Sequence, residues 1–448
     1  MRIGVVGAGP VGLVAAACFA EAGNHVTGMD IDAARVAALQ RGAVPFFEPG
    51  LSDMVPRNLA QGRLRFTTDL ADLAEHARVI FLCMGTPNDG SGRPDVRAFD
   101  QVATGLGPLL RDYTIVVTRS TVPVGTTERL RDLIRARTDC DFDVAANPEF
   151  LKEGNAVNDF MKPSRIILGV ENARVADLLR ELYAPFSRAE RPVIVTNLRS
   201  AEMIKYVSNA FLATKISFIN EMARLAERLE VDIETVRKGV GIDERIGFPF
   251  LFPGVGYGGS CLPKDVKALI RIAEDVGLNL SLQQAVDDIN DTQCAYFVDK
   301  LRGHFGGALD GKTFAVWGIS FKPRTDDLRE APSMTVLNAL LDAGAHIAAH
   351  DPRALDNARR VFGNRLRYED DPYAALRGAD ALIILTEWTE FRSPDFPLMR
   401  SLLRTPIIFD GRNLYAVTTM QRERFTYYSI GRPPVIPVAT DAPAAATR

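Results

Sequence analysis

The sequence predicts an α/β chain: two doubly wound lobes on parallel sheets, joined by a central helical domain with a long spine helix. Three observations predict it. Residues 2–30 spell a strand, a glycine-rich turn, a helix and a second strand ending on an acid. A second strand–turn–helix–strand unit begins at Lys312 and ends on Asp351-Pro352. Between them, from about Ser200 to Leu229, the apolar period becomes helical. At 448 residues the chain exceeds a single core and suggests two or three domains of about 100–200 residues. The expected boundaries are 1–197, 198–308 and 309–431, with a Pro/Ala-rich tail, 432–448, expected to be disordered because it lacks core-forming residues.

Composition narrows the class. A hydrophobic content of 47%, 24% charged residues and a net charge of −3 describe a globular protein with no bias toward nucleic acid or a membrane surface. The apolar run from Met1 to Phe19 is broken by Gly7, Gly9, Pro10 and Gly12, and is expected to be fold rather than leader. No stretch reaches about 18 uninterrupted apolar residues, so no membrane span is expected. The five cysteines are scattered without CxxC spacing, which points to thiols in a reducing compartment, the cytoplasm. His346 and His350 have a metal-like spacing, but a strand there separates them by roughly 13 Å. No metal is expected.

In chain order, Arg2 to Val6 reads as a buried strand running into Gly7-Ala8-Gly9-Pro10-Val11-Gly12; a helix follows from Leu13 to Ala22, then a strand from His25 to Asp30. In that context GxGxxG is a dinucleotide fingerprint: the glycines allow the turn and close approach of a pyrophosphate at a helix N-terminus. Asp30 is placed to accept from the adenosine ribose, favouring NAD, while Arg35 could instead hold a 2′-phosphate. Further strands run from Arg78 to Met84, Thr114 to Thr118 and Asp143 to Ala146. They lead into Gly85-Thr86-Pro87-Asn88, Ser120-Thr121-Val122-Pro123-Val124-Gly125 and Asn147-Pro148-Glu149-Phe150-Leu151-Lys152-Glu153-Gly154. Ligands bind beyond the carboxyl ends of parallel strands, so Thr86, Thr121, Glu149 and Glu153 are candidate site residues, or else turn formers. Strands at Arg165 to Val170 and Pro192 to Thr196 precede the spine helix, where Lys205 and Asn209 lie one turn apart among apolar neighbours.

Next comes Gly254-Val255-Gly256-Tyr257-Gly258-Gly259-Ser260-Cys261-Leu262-Pro263-Lys264-Asp265. The glycines permit positive φ and close backbone approach to a ligand. Most cysteines outside disulfides pack as small hydrophobes. A glycine-rich setting with a cation beside it points instead to a nucleophile, because a nearby cation raises the thiolate fraction. In the second lobe the turn is Ser320-Phe321-Lys322-Pro323-Arg324-Thr325-Asp326-Asp327-Leu328-Arg329, without GxGxxG and with three basic residues. It suggests a second phosphate-bearing ligand, or else a solvated mixed-charge loop. Strands at Ala381 to Leu385 and Ile407 to Phe409 follow, the latter leading to Asp410-Gly411-Arg412-Asn413.

The runs GAGPVG, GTP, STVPVG, NPEFLKEG, GYGGSCLPKD, SFKPRTDDLREAPS and DGRN together resemble the UDP-glucose/GDP-mannose dehydrogenase family over roughly residues 1–430. The resemblance implies two Rossmann-like domains and an NAD-dependent four-electron oxidation of UDP-glucose to UDP-glucuronate through a cysteine thiohemiacetal and thioester. GYGGSC and SFKPRTDDLREAPS look more like the UDP-glucose branch; GDP-mannose or another nucleotide sugar is the alternative substrate. It further implies Cys261 as nucleophile, Glu149 as general base, Lys205 as oxyanion stabiliser, Asn209 and Asp265 as assistants, and Thr121 beside the reacting centre. For NAD it implies Gly7, Gly9, Val11, Gly12, Asp30, Arg35, Thr86, Thr121, Glu153, Lys264 and Arg329. For the UDP-sugar it implies Glu149, Phe150, Leu151, Lys152, Glu153, Lys205, Asn209, Phe250, Leu251, Phe252, Pro253, Gly254, Gly258, Lys322 and Arg412. Arg245 resembles an arginine that reaches a neighbouring subunit's site, so a homodimer is expected.

Overall fold

The computed structural model of the chain describes residues 1–187 and 192–437. The chain divides into two compact units, Met1–Ala210 with Lys264–Asn279, and Phe211–Pro263 with Leu280–Arg448. The expected central helical segment is present, but by compactness it is shared between the two units.

The first unit is built on eight strands: β1 (Arg2–Val6), β2 (His25–Met29), β3 (Leu64–Thr67), β4 (Val79–Leu82), β5 (Thr114–Thr118), β6 (Phe142–Ala146), β7 (Ile166–Val170) and β8 (Val193–Thr196). Their order in the sheet is β3-β2-β1-β4-β5-β6-β7-β8. β1, β4 and β5 are apolar almost throughout because helices cover both sheet faces; Ile3, Val5 and Phe81 pack on one side, Val6, Ile80 and Leu82 on the other. Each such side chain stabilises the core by about 1.5–3 kcal/mol.

The sheet departs from a wholly parallel one at its far edge, where β7 runs antiparallel to β6 and β8 follows β7. The connection out of β6 holds a helix of just six residues, Ala156–Met161. The chain does not return to the other end of the sheet: β7 starts at the end where β6 stops, pairing Gly169 with Ala146 and Val170 with Ala145. Sequence periodicity carries no signal for strand direction.

The second unit holds β9 (Thr313–Trp317), β10 (His346–His350), β11 (Arg367–Tyr368), β12 (Ala381–Ile384), β13 (Ile407–Asp410) and β14 (Thr426–Ser429). They form a parallel sheet ordered β11-β10-β9-β12-β13-β14. The chain stays packed beyond the expected start of the tail: Arg432 is buried, and Val435 is buried and bridges Tyr427. An apolar side chain that finds a strand edge is enough to extend the fold. Residues 438–448 of that tail lie outside the described residues.

The spine helix runs Leu198–Arg228, 31 residues or about 46 Å. Lys205, Tyr206, Asn209 and Ala213 face inward and are buried. Met203, Val207, Phe211, Phe218, Leu225 and, just past the helix, Leu229 are exposed, an apolar stripe at helical spacing.

Candidate active site

The dinucleotide turn forms as its sequence requires. Gly7 leaves β1 at φ +96, and a Cβ on Gly12 would stand 1.8 Å from the Gly7 carbonyl, so the helix Pro10–Glu21 seats on the turn because that position is bare. Gly9 is different: a Cβ there would meet nothing within 4 Å, so protein packing does not demand this glycine. The open space lies at the N-terminus of a helix, where amides and dipole favour a pyrophosphate. Asp30 ends β2 with its carboxylate accepting from Ala8 N at 2.9 Å, Asp32 N at 3.0 Å and Arg35 Nη1 at 2.9 Å. A carboxylate has about four acceptor directions, which leaves one for a ribose hydroxyl. Burial pushes the Asp30 carboxyl up, and the two backbone amides and Arg35 more than reverse this, so it stays ionised. Arg35 is engaged by Asp30 rather than held out for a 2′-phosphate. These residues fit NAD.

Beyond β6, Glu149 is buried and bonded to Lys205 Nζ through Oε1 at 3.0 Å, while Oε2 accepts Leu151 N at 2.5 Å. Burial raises its pKa, but the Lys205 charge and these hydrogen bonds win, and the carboxyl lies below its usual range. Phe150 carries the Arg165 guanidinium 3.7 Å from its ring centroid and Lys205 Nζ at 5.3 Å. Lys152, largely exposed, pairs with Asp159 at 3.1 Å. Glu153 is half-buried on the same turn, and Gly154 N is held by Glu48 at 2.7 Å.

One turn along the spine helix, Asn209 Nδ2 donates to Asp265 Oδ2 at 2.6 Å. Asp265 Oδ1 accepts Lys264 Nζ at 2.5 Å, and Lys264 reaches Thr86 Oγ1 at 3.3 Å. Thr86 in turn donates to the Thr121 carbonyl at 2.8 Å, and Ser120 Oγ holds Met84 O at 2.6 Å. Asn209, Asp265, Lys264, Thr86 and Thr121 are therefore one hydrogen-bonded web, closed at the carboxyl ends of β4 and β5.

Cys261 lies in the second unit and directly precedes the helix Leu262–Asp275. It is exposed, with the Ser260 hydroxyl 3.7 Å from its sulfur; Cys18, Cys83 and Cys294 are buried and Cys140 is half-buried. A helix N-terminus favours a thiolate. The glycines of this loop meet protein as well as space. A Cβ on Gly258 would stand 2.0 Å from the Glu330 carbonyl, and one on Gly259 would stand 2.6 Å from the Phe321 ring. The loop is seated on the turn after β9, with Gly259 N donating to Arg329 O at 3.0 Å. Close backbone approach is thus spent at least in part on the second lobe itself.

Arg412, after β13, holds the loop from the other side, donating to Gly256 O at 3.2 Å and Leu385 O at 2.8 Å. Leu251, Pro253 and Gly254 are buried while Phe252 is exposed. Phe250 sits at φ +67, a strained conformation of the kind that clusters at ligand sites. Lys322 Nζ lies 5.4 Å from the Phe321 ring, and the Arg329 side chain pairs with Asp327 at 2.6 Å. Arg245 is exposed and pairs with Asp243 at 2.6 Å.

The acid that ends β10 explains why the second lobe is no second dinucleotide site. Asp351 Oδ2 accepts Ile319 N, Ser320 N and Ser320 Oγ, and Oδ1 accepts Arg353 N and Ala354 N, which saturates the carboxylate. Sequence reasoning missed Arg119, Tyr183 and Glu202. Glu202 binds Gly125 N at 2.6 Å and Thr127 N at 2.8 Å, tying the turn after Thr121 to the spine helix. The one signal available for Arg119 was a charge directly following a strand of uniform burial.

Family models match three segments: the NAD binding domain of the UDP-glucose/GDP-mannose dehydrogenase family at residues 1–187, its central domain at 199–292 and its UDP binding domain at 315–417. A UDP-glucose 6-dehydrogenase of Pseudomonas aeruginosa is 49% identical over 443 residues, covering 97% of this chain and 98% of that one. UDP-glucose 6-dehydrogenase TuaD of Bacillus subtilis is 43% identical over 436 residues, covering 97% and 94%. A UDP-glucose dehydrogenase structure from the archaeon Pyrobaculum islandicum superposes with a TM-score of 0.89 at 37% identity, covering 96% of this chain and 98% of that one.

Proposed function

The chain belongs to the UDP-glucose/GDP-mannose dehydrogenase family, and from that premise we propose that it oxidises the C6 alcohol of UDP-glucose to the carboxylate of UDP-glucuronate with two equivalents of NAD. The observation that carries the four-electron reading is Cys261, the one exposed thiol of five, set at a helix N-terminus. A two-electron dehydrogenase has no use for it.

When bound, NAD accepts one hydride in each oxidation. Glu149 acts as general base, held ionised by Lys205. Lys205 presents its ammonium to the developing oxyanion. Cys261 forms a C–S bond with the aldehyde carbon, and the resulting thiohemiacetal loses hydride more readily than a bare aldehyde does. Asp265, fixed by Asn209 and Lys264, aligns the water that attacks the thioester. The C–S bond then breaks, the thiolate leaves, and water has supplied the second carboxylate oxygen. Across the sequence the sugar loses four electrons as two hydrides and the thiol is regenerated.

Among the remaining expected positions, Gly7, Gly9, Val11, Gly12, Asp30, Arg35, Thr86, Thr121, Glu153, Lys264 and Arg329 serve NAD. Phe150, Leu151, Lys152, Arg245, Phe250, Leu251, Phe252, Pro253, Gly254, Gly258, Lys322 and Arg412 serve the UDP-sugar. The exposed stripe on the spine helix supports a homodimer, since a second copy offers the same apolar stripe to bury. The five scattered cysteines, none in a disulfide among the described residues, support a reducing compartment, the cytoplasm. The test is NADH formation with UDP-glucose, GDP-mannose and UDP-N-acetyl sugars in parallel. Two NADH per UDP-glucose is expected; one NADH, or preference for another sugar, overturns the reading.

A further inference from the structure

Arg119 is a buried cation with neutral partners. It follows β5, is 5% exposed, and donates through Nη1 to Asn147 Oδ1 at 2.7 Å and to the Tyr183 hydroxyl at 3.0 Å. Tyr183 donates to the same Asn147 oxygen at 2.5 Å, and Asn147 Nδ2 donates to Ile167 O at 2.8 Å. The guanidinium carbon lies 5.0 Å from the Phe160 ring centroid, and Nε is sealed from solvent without a hydrogen-bond partner. Among the described residues no carboxylate lies within ion-pair distance of it. Arginine does not deprotonate in proteins, so its charge stays buried and needs a countercharge. Asn147 is two residues from Glu149 on the same turn. Arg119 and Glu149 line one cavity of about 300 Å³ together with Arg165 and Tyr183.

Resting on the function proposed above, we propose that Arg119 is a positioning residue of the reaction. It clamps the Asn147-Pro148-Glu149 turn and supplies the standing positive charge that keeps Glu149 a carboxylate when Lys205 turns to the oxyanion. Glu149 thus has Lys205 at 3.0 Å and shares the lining of this cavity with Arg119, and engaging Lys205 with substrate leaves Glu149 still compensated. The Coulomb pull of Arg119 on Glu149 runs in this direction, behind that of Lys205. The groups facing Glu149 are Lys205 from the spine helix, Arg119 from the end of β5, Cys83 from the end of β4 and, around the cavity, Arg165, Tyr183, Lys162 and the paired Lys152 and Asp159. Burial pushes Cys83 and Tyr183 up to about 12 each, so both stay neutral in the working range.

The test compares the pH profile of kcat at saturating UDP-glucose and NAD, which reports groups in the bound complex, in wild type, Arg119→Gln and Arg119→Lys. Arg119→Gln is expected to move the acid limb up by about one pH unit, and Arg119→Lys to bring it back toward wild type. A folded Arg119→Gln enzyme with the wild-type limb overturns the inference. A purely structural clamp would alter KM and melting temperature but leave the limb in place. If Arg119→Gln does not fold, the Glu149 carboxylate band is titrated by infrared difference spectroscopy in Lys205→Met, with Lys205→Met/Glu149→Gln as the blank. A midpoint below about pH 6 is expected, and one near the 8–9 of buried carboxylates lacking a countercharge overturns the inference. The infrared arm needs no turnover. A wild type inert toward UDP-glucose defeats the functional reading alone, whereas an active wild type with an unmoved Arg119→Gln limb defeats this inference alone.

Discussion

Lys205 Nζ stands 3.0 Å from Glu149 Oε1, with both side chains almost fully withdrawn from water. Burying two charges is costly unless each is compensated, and removing one partner takes away the other's nearest countercharge. Glu149→Gln and Lys205→Met are each expected to destabilise the chain by about 3–5 kcal/mol at neutral pH. The double variant should be less destabilised than the sum of the two, as read from denaturant midpoints in a double-mutant cycle. Additive losses would show that the pair is not coupled.

The same pair fixes a pH dependence. Folding lowers the Glu149 pKa, so the ionised form is the one the fold prefers. That stabilisation is complete above the unfolded value of about 4.3 and is lost as pH falls through the lower folded value. The stability difference between wild type and Glu149→Gln should therefore be flat from pH 5 to 7 and shrink below about 4. A difference that grows on acidification contradicts the assignment.

Cys261→Ser should lower uronate formation by about 10³-fold or more while leaving the melting temperature nearly unchanged, because the residue is exposed. NADH counted against sugar consumed is the measurement. Uronate made at the wild-type rate would remove the covalent route.

Asp265→Asn keeps the shape of the Asn209–Asp265–Lys264 web and removes its charge. Thioester hydrolysis should slow by about 10²-fold, and an acylated enzyme should accumulate in the mass spectrum, modified at Cys261. A slow enzyme with no adduct would move Asp265 to an earlier step.

Asp30→Ala releases Arg35 and removes the acceptor at the end of β2. NAD affinity should fall by about tenfold or more while NADP binding improves, as read by titration of both cofactors. Equal loss of both would mean that the turn, rather than the ribose contact, had been damaged.

The two lobes, the dinucleotide turn and the cysteine loop were legible in the sequence because each is written in short-range spacing. Strand periods, glycine positions and the acid after β2 lie within about 30 residues, and backbone geometry fixes what they build. The Lys205–Glu149 and Asn209–Asp265 contacts each span 56 residues. Arg119 meets Tyr183 across 64. Nothing local announces such partners, because they meet where the chain crosses over between strands. The reversal of β7 belongs there too, since no local period records the direction of a strand. Sequence alone determined which chemical groups this protein carries and on what kind of scaffold. Tertiary structure decided which charges face one another out of water, and so which carboxylate stays ionised and which cation holds it there.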